Sequence, residues 1–162
     1  LHVIGDFERI SDHAVNIKEA AEEMRDKKLH FSEKAAAELK VYTTAIHEIV
    51  NMAFDAFATE NVEAAGNVEP LEEVIDGLCD EMKLRHVKRL QLGECTLDHG
   101  FVYNDLLNNY ERIADHCSNI AVAMIELDRD LFDTHEYLNR VKNNAGDSFR
   151  RYYAEYSEQY KI

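Results

Sequence analysis

Two stretches of the chain carry carboxylates at a spacing suited to chemistry. Glu8-Arg9-Ile10-Ser11-Asp12-His13 recurs, 103 residues later, as Glu111-Arg112-Ile113-Ala114-Asp115-His116. Extended through Asn16-Ile17 and Asn119-Ile120, the alignment holds seven identities in ten pairs, where average composition gives fewer than about one. Within each copy the Glu and Asp are four apart, so on a helix they project side by side. That face lies opposite the apolar positions Ile10, Ala14 and Ile17 in the first copy and Ile113, Cys117 and Ile120 in the second. Paired outward carboxylates suit hard cations: Mg, Ca, Mn or ferric iron. They also suit plain solvation beside the adjacent arginine, and the repetition of Glu, Arg, Asp, His and Asn together favours the first reading.

A second acidic group lies between the copies. Glu69, Glu72, Glu73, Asp76 and Asp80 fall within about a third of a helical wheel. Leu71, Val74, Ile75, Leu78 and Met82 fill the other side. If this helix neighbours the second hexapeptide, its acids converge with Glu111 and Asp115 at the bundle surface. Carboxylates about 6 Å apart repel by about 0.7 kcal/mol per pair even in water. One multivalent cation reverses that sign, and Lys83, near the same face, offers a simple ion pair instead. His13 and His116 point about 100° away from the aspartates. They flank a metal, face solvent or pack between helices, the last two being favoured.

Helices must position these groups. Ile10, Ala14, Ile17, Ala21 and Met24 form a stripe at helical spacing, ending near Lys27-Lys28. Ser32 is an N-cap, with Phe31 and Ala36 placed for a hydrophobic staple, and the helix it starts runs to about Thr59. Gly66-Asn67 break the chain. Pro70 sits in the first turn of a helix that runs to about Leu92. The next helix spans roughly Asp98 to Leu127 and holds the second hexapeptide. The stretch Asp128 to Thr134 reads as a loop with Thr134 as N-cap, and a last helix runs to about Tyr160. It carries an aromatic stripe of Phe149, Tyr152, Tyr153, Tyr156 and Tyr160 that packs on the bundle or docks a partner. The fold expected is all-α, an antiparallel bundle of four to five helices.

Composition narrows the function. At 162 residues, 46% of them hydrophobic, the chain can bury one real core. A net charge of −14 argues against nucleic acid and anionic membranes. Cys79, Cys95 and Cys117 form no CxxC pair, which fits a reducing compartment. No apolar run is long enough to span a bilayer. The chain opens directly on a helical pattern, as a piece of something longer would. No Glu stands three positions before any of the eight histidines, so the core Glu-x-x-His pairs of di-iron enzymes are missing. No nucleophile–base arrangement or phosphate loop is visible.

"DFERISDHAVNI" and "NNYERIADHCSNI" resemble the Glu-x-x-x-Asp motifs of PhoU-domain proteins, regulators associated with phosphate uptake. "EPLEEVID" is similar to the acidic motif on a preceding helix of that family. The resemblance implies two three-helix repeats with a multinuclear iron or zinc cluster on the surface. It makes 1–28 the last helix of repeat one, 31–127 a three-helix repeat two and 134–160 a C-terminal helix, in a single domain. The metal ligands it implies are Glu111, Asp115, Glu73 and Asp76, with Glu69, Glu8 and Asp12 further candidates. Glu8 and Asp12 lack the helix that would face them in their own repeat. "LFDTHEYL" and the tyrosine-rich helix after it are similar to the cytoplasmic PhoU domains of sodium/phosphate cotransporters. The implied partner is a phosphate transporter's membrane domain, with self-association covering any apolar face. A non-enzymatic regulatory domain is expected, against the alternatives of a metal-free structural module and a carboxylate-bridged enzyme.

Overall fold

The computed structural model describes residues 2–131 and 134–162, with side chains for 3–128 and 146–162. Six helices follow in order: α1 (His2–Asp26), α2 (Glu33–Ala58), α3 (Val62–Ala65), α4 (Val68–Gln91), α5 (Leu97–Leu131) and α6 (Thr134–Gln159). Five are long, α3 is a single turn, and no strand occurs among the described residues, so the all-α expectation holds.

Local chemistry sets the boundaries. The Ser32 hydroxyl accepts the Ala35 N–H at 3.3 Å and caps α2. The staple does not form: Ala36 is exposed, and Phe31 meets Tyr103 edge-on at 5.2 Å. Asn61 caps α3 through the Ala64 N–H. Lys88 and Arg89 stand in the last turn of α4, where cations favour the helix dipole. Gly93 then turns the chain with φ +71°, a conformation that costs glycine least. Helix continues through Asp128 to Leu131, where a loop was expected. The cap expected of Thr134 lies outside the described side chains.

Helices α2, α4 and α5 pack mutually, and α1 lies along α5. One apolar cluster joins them around Tyr42, Ile49, Leu71, Ile75, Met82, Leu107 and Ile120. The predicted core side of α4 (Leu71, Val74, Ile75, Leu78 and Met82) is buried throughout. The stripe predicted for α1 is turned: Ala14 and Ala21 are exposed, while Ile10 and Ala20 are buried and His13 and Ile17 half-buried. Packed mainly on one neighbour, α1 buries a narrow seam that the contact with α5 selects. Tyr156 of α6 donates to the Met52 sulfur at 3.6 Å, and Tyr160, just past its end, is buried and donates to Glu48. The aromatic stripe thus packs on the bundle at its C-terminal end.

A candidate carboxylate metal site between α4 and α5

The second hexapeptide lies on α5 directly against α4. Glu72 and Asp76, one turn apart on α4, meet Asp115 of α5 with one carboxylate oxygen from each within 4.8 Å of the others. Asp76 Oδ1 is buried and has no hydrogen-bond partner among the described residues. Burial, then the charges of Glu111 and Asp115, raises the Asp76 carboxyl to about 6. Burial, with Asp76 and Glu69 beside it, raises Glu72 to about 7. Like charges crowd here in a half-dry cleft, and one carboxylate oxygen is left unsatisfied, which is the electrostatic condition for a cation.

Each expected residue has a definite place. Glu111 is partly exposed at the same cleft, but Lys83 pairs with it at 3.0 Å and the Cys79 thiol donates to it at 3.4 Å. Asp115 also takes Arg112 at 3.0 Å, an exposed partner that contributes little. Glu69 is exposed and accepts from Ser118 of α5, at the end of the cleft. Glu73 is exposed, and Glu72, the residue before it, is the one that joins the cluster. A shift of one residue turns a side chain by about 100°, which carries Glu73 out of the α4–α5 groove. Glu8 and Asp12 are exposed on α1, and among the described residues no cluster of three metal-ligating groups forms around them. Cys117 is buried in the core, its thiol pushed up to about 12 by desolvation.

The histidines and asparagines of the repeated motif have another use. His13 donates to Asn109 Oδ1 at 2.9 Å, and Asn16 donates to the same oxygen at 3.0 Å. Across the α1–α5 contact, His116 donates to Asp6 Oδ1 at 2.9 Å and Asn119 to that oxygen at 3.3 Å. Residues 6 and 109 are equivalent in the alignment of the two copies, as are 13 and 116. The two antiparallel helices therefore exchange the same pair of contacts about a local two-fold axis, and the two imidazoles stack across it at 5.7 Å. The sequence signal was the recurrence of His and Asn in register with the acids. One repeated motif serves two edges: the acids face outward toward a neighbour such as α4, while His and Asn join the repeats.

Fold and site first define a class: an all-α bundle that presents carboxylates from adjacent helices at its surface, away from its core. The chain belongs to the PhoU-domain family, which matches residues 42–124, just over half of its length. It is similar to a "Phosphate-specific transport system accessory protein PhoU homolog 1" of Thermotoga maritima, 28% identical over 140 residues. That match covers 86% of this chain, which spans only 59% of the relative. No solved structure is significantly similar.

Proposed function

We propose that the chain is a regulatory, metal-binding interaction domain that controls phosphate transport by docking to a transporter's membrane domain, of the sodium/phosphate cotransporter kind, at its cytoplasmic side. The observation that carries the metal is the Glu72–Asp76–Asp115 cluster with its orphaned Asp76 oxygen. The donor set fits: oxygen ligands alone favour a hard ion, so ferric iron suits it better than zinc, and manganese, magnesium or calcium also match. Burial pushes Cys79, the nearest sulfur, up to about 11, which keeps it a thiol and out of the ligand set. Glu72, Asp76 and Asp115 would hold the first ion. Glu111, freed from Lys83, and Glu69 would extend the site to a multinuclear cluster. A bound ion would neutralise the crowded acids and tie α4 to α5, changing the charge of the face offered to a partner.

Family membership and the relative's printed name support the link to phosphate transport. The three cysteines are free, in keeping with a reducing compartment. None of the searched helices is long and apolar enough to cross a membrane. Self-association is part of the proposal, since Ile4 and Val15 of α1 are exposed. The test is capture of a sodium/phosphate cotransporter membrane domain by this chain with ferric or manganous ion, with chelator, and with Asp115→Asn. Capture that requires metal and fails in the variant is expected. Capture indifferent to both would leave a structural module, a reading favoured by the Lys83–Glu111 and Arg112–Asp115 pairs that already neutralise two of the acids.

A further inference from the structure

At the opposite end of α4 from the acidic cluster, a cavity of about 30 Å³ is lined by His30, Ser32, His86, Arg89, Cys95 and His99. That is room for more than one water. Two of its lining side chains are more than nine-tenths buried and have polar atoms without partners. Among the described residues, His86 Nε2 and Arg89 Nη2 have no hydrogen-bond partner, and the two side chains are 3% and 8% exposed. Arg89 spends only Nη1 on Glu38, at 3.0 and 3.2 Å, and its second arm is left to donate. His99 Nδ1 lies 2.8 Å from the Thr96 hydroxyl and accepts the Thr96 N–H at 3.4 Å. The ring proton of neutral His99 is thereby fixed on Nε2, a third donor.

Two helix N-termini supply the rest. Ser32 caps α2 and Thr96 precedes α5, so the positive ends of both dipoles adjoin the cavity. The Glu38 carboxylate is shared by Arg85 and Arg89, and the exposed Glu94 is the other acid beside the space. Gly100 lets the His86 ring lie close to α5: a Cβ there would stand 3.1 Å from His86 Nε2. A guanidinium has no lone pair with which to ligate a cation, so this donor set selects an acceptor. Leaving the buried Arg89 Nη2 donor unmet costs more than an ordinary exposed hydrogen bond returns, and the buried His86 Nε2 beside it is a donor in one tautomer and in the protonated ring.

We infer that this cavity is a binding site for a small free tetrahedral oxyanion, held by Arg89, His86 and His99 between the N-termini of α2 and α5. It lies away from the carboxylate cluster and does not depend on metal there. A domain with both sites reads a cation at one end of α4 and an anion at the other.

The test is titration of the intact, chelator-treated chain with inorganic phosphate at constant ionic strength, read by NMR of the histidine rings. The His86 and His99 resonances are expected to move together and saturate, with chloride inert. Arg89→Gln and His99→Gln should each weaken binding about tenfold, the loss of one charge-assisted or buried hydrogen bond. Asp115→Asn should leave it unchanged, so failure here and failure of the metal reading are separable. If Arg89→Gln does not fold, His99→Gln and Gly100→Ala, which crowds His86, carry the comparison. No saturable shift at His86 and His99, or full affinity in the variants that fold, overturns the site in favour of enclosed water. Equal binding of glycerol 3-phosphate overturns the free-anion assignment.

Discussion

The hexapeptide on α1 and its copy on α5 share Glu, Arg, Ile, Asp and His, yet their acids live in different electrostatic worlds. Glu8 and Asp12 face water. Glu111 and Asp115 face α4, and around them lie Lys83, Cys79, Glu72 and Asp76. The acidic positions of the motif thus specify an outward pair of carboxylates and nothing more. Under the proposed function, the helix beside them decides whether the pair becomes a site. The inward residues behave oppositely: His13 and His116, with Asn16 and Asn119, make equivalent contacts because each faces the other copy.

The sharpest way to break this comparison is in the core. Ile17 and Ile120 are equivalent positions, but Ile120 is fully buried while Ile17 is half-buried. Ile120→Ala should cost about 3–4 kcal/mol and Ile17→Ala about 1 kcal/mol, measured by urea unfolding. Equal costs would mean that α1 is held as firmly as α5.

The α1–α5 exchange predicts a smaller asymmetry. His116 answers a carboxylate, Asp6, whereas His13 answers the neutral Asn109. Hydrogen bonds to charged groups are the stronger class. His116→Ala should therefore destabilise by about 2 kcal/mol and His13→Ala by about 1 kcal/mol. A reversed order would contradict the stronger bond assigned to His116 and the charged Asp6.

The smallest effect is a pH dependence. Glu72 and Asp76 have folded-state values raised to about 7 and about 6, from ordinary values of 4.5 and 3.8. Between those limits the folded chain binds more protons than the unfolded one, so this contribution to stability falls as pH rises. In chelator, the chain should unfold at lower urea at pH 8 than at pH 5.5 from this cause, and Glu72→Gln should flatten the slope. Asp12→Asn on α1 should leave the slope as it is. A slope unchanged by Glu72→Gln would show that the α4–α5 cleft does not crowd its charges.

Much of this was legible in the sequence, for stateable reasons. The apolar period of α4 and the Ser32 cap set helices in place, and the repeat singled out α5. That Asp76 and Asp115 meet follows from α4 and α5 being neighbours. The choice of Glu72 over Glu73 was not legible, because both lie on the acidic face and only the position of α5 separates them. Lys83 was visible as a partner near that face, but its bond to Glu111, shared with the Cys79 thiol, depends on side-chain reach across two helices. The turn of α1 that exposes Ala14 was hidden because alanine is a weak marker of burial. The His86–Arg89 cavity draws on residues from three segments with no common spacing, so no motif could announce it.

The central claim is that neighbouring α4, rather than the motif itself, makes the second hexapeptide a metal site. Thermal unfolding with and without ferric or manganous ion tests it most directly, in the parent chain, Asp115→Asn and Asp12→Asn. Metal at about a hundred times its dissociation constant should stabilise the parent by about 2.7 kcal/mol, a rise of roughly 5–10 °C for a domain of this size. Asp115→Asn should lose most of that rise and Asp12→Asn almost none. Equal rises in the two variants, or none in the parent chain, would contradict the claim.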